Sequence, residues 1–410
     1  MKSDLDRLLR NHQADALWVT GPAQHNPAMV YLTGGGHLTQ ADFIKQVDKP
    51  GLLCHAPMER DEAGKSGLAT LNYNQYPLKG RMKEARGDRL TAHAILFREI
   101  FSELGLIEGK VLVYGRTDAG KFHSLINRLK EMLPGLDFQG DMEDAVLLQA
   151  MATKSPDELK RIRLMAEIVL QVVTRTADFL TSHKVLNGIL IKPDNSQLLI
   201  GDVKSKINLW LAELGAENPE DTIFAIGRDA GVPHSSGTLT DPIKLGQTIV
   251  FDIFPCEIGG GYFYDFTRTW CLGYAPDDTK ILYQQVKSVY ERVVTELKTG
   301  KNAAVFQART CELFEQQGHA TIRQNPAAES GYVHSLGHGV GLNIHEKPWF
   351  NQEKDDSNVL LPGSVFTIEP GLYYPEKGIG VRLEDTYYVT PEGNFEKFID
   401  FPMELVLPMA

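Results

Sequence analysis

The chain has 410 residues, 42% hydrophobic and 23% charged, which is globular composition and more than one average domain holds. Its net charge of −11, from 42 basic against 53 acidic residues, argues against nucleic acid or an anionic membrane as a partner. No uninterrupted apolar run approaches the ~18–20 residues that span a bilayer, and the opening MKSDLDRLLRNHQADALW lacks the apolar core and cleavage site of a signal peptide, so a cytoplasmic protein is expected.

Residues 1 to about 150 alternate short strand-like runs with helical patterns, bounded by Gly and Asp turns. Strands are expected at Ala16–Thr20, Met29–Leu32, Gly51–His55 and Lys110–Tyr114, and helices near Arg89–Leu104 and Ala119–Met132. This alternation predicts an α/β domain.

At Ser155-Pro156-Asp157-Glu158 the pattern changes. Ser155 suits an N-cap, Pro156 the first helical position, and Glu158 completes a capping box. Apolar residues then recur at helical spacing from Leu159 to Val173. A second domain is therefore expected over 151–410. Its further helices are marked by Leu199, Val203, Ile207, Trp210 and Leu214, by Leu282, Val286, Val289, Val293 and Leu297, and by Ala303–Gln316, which stops at Gly318. Strands are expected at Thr222–Ile226, Thr248–Phe254, Tyr262–Leu272, Ser364–Ile368 and Val381–Val389. Two helices then strands, twice over, is an α+β pattern with an internal pseudo-repeat. Cys54, Cys256, Cys271 and Cys311 form no CxxC pair and read as reduced, buried thiols.

Four segments of the second domain carry chemistry. Asp252 ends an apolar strand, and Asp265 follows thirteen positions later, after the Gly259–Gly261 turn. Alone, such a pair is most often a solvated face. His334, His338 and His345 cluster among glycines in HSLGHGVGLNIH, which favours a site, because imidazole ligates metals and moves protons near neutral pH. Glu369 interrupts an apolar strand before Pro370-Gly371. In VRLED, Arg382 and Glu384 share one face of a strand, where the guanidinium keeps the carboxylate anionic. Together, two Asp, one His and two Glu make an oxygen-rich donor set that suits Mn²⁺, Mg²⁺ or Fe²⁺, without excluding Co²⁺ or Zn²⁺.

In this order the segments resemble the pita-bread metallopeptidase family of methionine aminopeptidases, Xaa-Pro aminopeptidases and Xaa-Pro dipeptidases (prolidases). The likeness covers roughly 151–405. The region 1–150 resembles the N-terminal domain of the creatinase and prolidase branch. The resemblance implies two divalent ions, Mn²⁺ foremost, held by Asp252, Asp265, His338, Glu369 and Glu384, with Asp265 and Glu384 bridging. It implies that Glu369 also moves the proton, that His234 and His345 contact substrate, and that His334 and Arg382 stand beside the ligands. The substrate it implies is a small peptide with proline second, and the assembly a homodimer. This chain departs from the family at Phe254, where glycine is usual, and in the thirteen-position interval between aspartates, usually eleven. The departures leave room for a hydrolase or lyase acting on a small non-peptide substrate. A non-catalytic binding protein on the same fold is the remaining alternative.

Overall fold

The structure, a computed structural model, describes residues 4–352 and 355–409. The chain falls into two compact units, Met1–Met151 with Gly259–Gly261, and Ala152–Ile258 with Tyr262–Ala410.

The first unit is built on a six-stranded sheet: β1 (Ala16–Gly21), β2 (Ala41–Gln46), β3 (Leu52–His55), β4 (Ala69–Asn72), β5 (Gly109–Gly115) and β6 (Leu136–Gly140). The strand order is β4-β3-β2-β1-β5-β6. β1 runs antiparallel to β2 and parallel to β5, so the sheet is mixed. Three helices of this unit matter below: α1 (Pro27–Thr33), α2 (Arg89–Glu103) and α3 (Ala119–Met132). The core centres on fully buried Trp18, whose ring lies 4.6 Å from Phe97 and 5.5 Å from Phe122. Met29–Leu32, expected as a strand, lies within α1. Pro27 occupies its first turn, where a missing N–H costs nothing, and Gly34 ends it at φ 83° with its N–H on Val30 O. β2 was not expected, because Asp42, Lys45 and Gln46 break its apolar pattern. All three are buried. Trp18 Nε1 donates to Asp42 at 2.7 Å, Tyr73 donates to its other oxygen, and Lys45 pairs with Asp6.

The second unit opens with α4 (Pro156–Thr181), where both the N–H and Oγ of Ser155 donate to the Glu158 carboxylate at 2.7 Å. α5 (Ile200–Glu213) follows, then β7 (Ile223–Ile226), β8 (Ile249–Ile253) and β9 (Phe266–Leu272). The plan repeats with α6 (Asp277–Glu296) and α7 (Ala304–Gln316), then β10 (His338–Gly339), β11 (Glu346–Trp349), β12 (Val365–Ile368), β13 (Gly371–Tyr374), β14 (Ile379–Arg382), β15 (Asp385–Val389), β16 (Phe395–Lys397) and β17 (Val406–Leu407). One sheet has the order β7-β8-β9-β17, another β11-β10-β12-β15-β16, and β13-β14 is a hairpin. Val286, Val289 and Val293 of α6 and Phe314 of α7 pack with Phe366, Ile368 and Val381 in one core. Each such side chain contributes roughly 1.5–3 kcal/mol by leaving water.

Two expected strands are shorter than their apolar runs. Tyr262–Leu272 becomes strand only from Phe266, because residues 262–264 spend their N–H groups on Glu257, Gly341 and Pro255. Val381–Val389 is two strands, because Leu383 and Glu384 turn to donate to Pro370 O and Thr267 O. All four cysteines are buried and free. Among the described residues no helix is long and apolar enough to cross a membrane.

Candidate metal centre

Strand pairing brings the acidic residues together. Asp252 in β8 faces Thr267 in β9, and Glu384, just before β15, bridges to the same Thr267. Partners opposite one another in a sheet stand about 4.5–5.5 Å apart at Cβ. Asp265 immediately precedes β9, His338 opens β10, and Glu369 immediately follows β12. The histidine-bearing segment must lie hard against its neighbours. A Cβ on Gly337 would come within 2.0 Å of Thr367 O, and one on Gly339 within 2.0 Å of Lys347 O. Those glycines are required by close backbone approach.

A cavity of about 560 Å³ is lined by Asp252, Asp265, His338, Glu369 and Glu384, and also by His234, His334, His345 and Arg382. The structure thus brings every sequence-derived candidate to one place. Asp265, His338 and Glu384 each offer a ligand atom within 4.8 Å of the others, all buried. His338 Nε2 lies 3.6 Å from Asp265 Oδ2 and 3.3 Å from Glu369 Oε1. Its Nδ1 is 3.1 Å from Gly339 O, which can only accept, so the neutral ring donates there and turns the Nε2 lone pair into the cavity. Burial, reinforced by His345 alongside, pushes its pKa down to about 3 and keeps the ring neutral. His345 and His234 are exposed at the cavity edge.

Arg382 is the fixed cation. It donates to Asp252 Oδ2 at 2.6 Å, to Tyr373 OH at 2.8 Å, to Pro233 O at 3.1 Å and to Thr267 Oγ1 at 3.3 Å. The Tyr373 hydroxyl lies 2.9 Å from His334 Nε2, while His334 Nδ1 donates to Ser335 O at 2.7 Å. A hydrogen-bonded chain therefore runs from Arg382 through Tyr373 to His334, which burial holds neutral with a pKa lowered to about 3. The carboxyl groups move the other way. Burial raises Glu369 to about 8 against the pull of Arg382. Burial, then Glu384, holds Asp265 well above the carboxylate range, and burial, then Glu369, does the same to Glu384.

Sequence reasoning missed Thr267, Thr367 and Tyr373. Thr267 Oγ1 donates to Glu384 Oε2 at 2.6 Å, and Thr367 Oγ1 accepts from His338 N–H at 3.1 Å. The available signal was alternation: Thr267 stands two positions after Asp265, and Thr367 two before Glu369.

A model of metallopeptidase family M24 matches residues 160–391, a range that contains the whole cavity lining. The chain belongs to metallopeptidase family M24. Membership makes it a peptidase and implies divalent metal ions. Among its M24 relatives, an Xaa-Pro dipeptidase of Pyrococcus furiosus is 30% identical over 273 residues, 66% of this chain and 69% of that protein. In fold the chain is similar to a prolidase from Pyrococcus horikoshii OT3 (TM-score 0.72, 23% identity, 98% of each chain). It is also similar to an X-Pro aminopeptidase from Thermotoga maritima MSB8 (TM-score 0.75, 21% identity, 98% of this chain and 99% of that one). The architecture is that of the M24 prolidase branch, an α/β N-terminal domain followed by an α+β pita-bread domain with its pseudo-two-fold repeat.

The residues present suit an M24 metal site. Asp252 Oδ1, Asp265 Oδ1 and Glu384 Oε1 are buried and meet no hydrogen-bond donor among the described residues. Buried carboxylate oxygens in that condition are costly, and an oxygen-seeking cation compensates them.

Proposed function

We propose that this enzyme is a dinuclear-metal peptidase that hydrolyses the bond before proline in short peptides, as an Xaa-Pro dipeptidase or aminopeptidase. One observation carries the reading: a single cavity gathers the carboxylates of Asp252, Asp265, Glu369 and Glu384 around the neutral His338 imidazole and the Arg382 guanidinium, with exposed Glu220 at its edge. Four carboxyl groups against a single guanidinium leave an excess of potential negative charge that divalent cations would offset. The set is oxygen-rich, which favours Mn²⁺ ahead of Co²⁺, Zn²⁺, Fe²⁺ or Mg²⁺.

Asp252, Asp265, His338, Glu369 and Glu384 would hold the ions. When bound, the ions supply Lewis acidity and lower the pKa of water. Glu369 takes the proton of the attacking water and passes it to the leaving imino nitrogen. His345 and His234 orient the scissile carbonyl and stabilise the developing oxyanion. The chain Arg382–Tyr373–His334 fixes the direction of Asp252. The reading includes a cytoplasmic homodimer, with 1–150 as the creatinase/prolidase-like domain and 151–410 as the catalytic domain.

The test is a length series of Ala-Pro and Ala-Pro-Ala with Mn²⁺ or Co²⁺, alongside Met-Ala-Ser, with metal content measured on the same sample. Asp265→Ala and His338→Ala are expected to lose metal and turnover together. Full activity after dialysis against chelator would overturn the proposal. A second reading, a small non-peptide substrate, is favoured by Phe254, which lines the cavity where the family usually has glycine. Silence on all three peptides by fully metallated protein would select it.

A further inference from the structure

A second cavity, of about 820 Å³, lies wholly in the first unit, at the carboxyl ends of parallel strands β1 and β5. The chain leaves β1 toward β2 on one side, and β5 toward β6 on the other. Open α/β sheets hold ligands in such a crevice, where the strand order changes direction.

Its lining has three parts. Buried Phe97 and Leu125 and half-buried Phe122 form an apolar wall, backed by Trp18. Arg89, Arg116 and Lys121 form a rim of exposed cations, and none has an ion-pair partner among the described residues. Asp118, which also lines the cavity, is engaged as the cap of α3, accepting from Lys121 N–H at 2.8 Å, and Asp88, next to Arg89, as the cap of α2, accepting from Thr91 N–H at 2.8 Å. Asp42 and His93 supply polar groups. Asp42 accepts from Trp18 Nε1 and Tyr73 OH, with the Thr20 hydroxyl a further partner, and the His93 imidazole makes no hydrogen bond among the described residues. Solvated arginines and lysines occur on any surface, but here they ring a cavity with an aromatic wall and polar groups of its own.

Gly120 adds an independent observation. It sits in the first turn of α3, where glycine is poorer than alanine. Among the described residues a Cβ there would meet only Asp118 Oδ1, at 3.5 Å, so no close approach requires the glycine. Gly120 lines the cavity, and the missing side chain widens it. Gly115, Gly120 and Lys121 also carry the spacing of a strand–loop–helix phosphate-binding segment. Phe122 stands where that segment needs a metal-binding hydroxyl, and Asp118 already caps the helix, so only the spacing is shared and a phosphate here would depend on side-chain charge.

We propose that this cavity binds an organic phosphate of mononucleotide size, the phosphate between Arg89, Arg116 and Lys121, the aromatic body against Phe97 and Phe122, and its polar edge toward Asp42 and His93. The volume is in the range of small-molecule sites, and two arginines with a lysine match a dianionic headgroup.

The experiment is calorimetric titration of the full-length, metal-loaded protein with adenosine monophosphate, adenosine and inorganic phosphate as separate probes. Adenosine monophosphate is expected to bind more tightly than either fragment. Arg116→Ala/Lys121→Ala should weaken it about 100-fold or more, since two charge-assisted hydrogen bonds are lost. Gly120→Ala should weaken it while raising thermal stability. His338→Ala, at the metal centre, should leave it unchanged. The proposal is overturned if wild-type protein ignores adenosine monophosphate at millimolar concentration, or if the double variant binds like wild type. It is equally overturned if one fragment binds as well as the whole, or if His338→Ala abolishes binding. Hydrolysis of Xaa-Pro peptides is a separate readout, so failure here and failure of the peptidase reading are distinguishable.

Discussion

Replacing Thr267 with Val tests whether a hydroxyl outside the proposed ligand set governs metal affinity. The substitution keeps the shape of a fully buried residue in β9 and deletes one oxygen. That oxygen donates to Glu384 Oε2 at 2.6 Å and accepts from Arg382 Nε at 3.3 Å. Glu384 Oε1 has no hydrogen-bond partner among the described residues, so the variant leaves this carboxylate without a side-chain hydrogen bond to hold its direction. A hydrogen bond to a charged group is worth roughly 1.5–3 kcal/mol, and each 1.4 kcal/mol is about tenfold in affinity. The expected loss is about 10–100-fold in Mn²⁺ affinity, in line with what removing an outer hydrogen-bond partner of a metal ligand generally costs. The assay is a Mn²⁺ titration in competition with a chelator of known affinity. Thr267→Ser should restore most of the loss, and peptidase activity should recover at saturating metal. Wild-type affinity in Thr267→Val, with Glu384→Gln severely weakened in the same assay, would refute the argument.

Three other outcomes follow from the geometry. Metal-stripped protein should lose stability as pH rises from 6.5 to 8. Glu369, raised to about 8, keeps a proton in the folded state that the unfolded chain has released, and burial pushes Asp265 and Glu384 in the same direction. Their contribution is complete below the unfolded carboxylate pKa and disappears as pH passes the folded values, at about 1.4 kcal/mol per pH unit for each retained proton. His334 and His338, lowered to about 3, act oppositely, losing stability as pH falls below about 6.5, so they do not mask this window. A urea midpoint that rises between pH 6.5 and 8 would sink this account. Lys154→Met should cost about 3–5 kcal/mol, because it strands Glu346, whose ion pair with Lys154 is almost wholly buried. Adding Glu346→Leu should recover much of the loss, and an unchanged denaturation midpoint in the single variant would count against it. Gly337→Ala should destabilise by about 1–3 kcal/mol or more and impair metal loading, because its methyl lands 2.0 Å from Thr367 O. Normal metal content in that variant would show that the β10 segment has room to move.

Helices with long amphipathic stripes were legible in the sequence almost to the residue. Ala119–Met132 was expected and is α3, and the Ser155–Glu158 signature does open α4. Short runs were not. Seven residues from Pro27 to Thr33 carry too few turns to display a helical period, and the decision rests with Pro27 and Gly34. β2 hid because its polar residues find partners only through tertiary structure, as Asp42 does with Trp18 and Tyr73. The candidate site was legible because carboxylates and histidines stand out within apolar or glycine-rich segments. Tyr373 was not, because a tyrosine in an apolar hairpin looks like core until Arg382 and His334 are seen on its hydroxyl.

The proposed donors are dealt to both repeats of the second unit. Asp252 and Asp265 belong with the four-stranded sheet, and His338, Glu369 and Glu384 with the five-stranded one. No disulfide ties these repeats. A cation gripped by both would act as their rivet, and neither repeat alone could seat it.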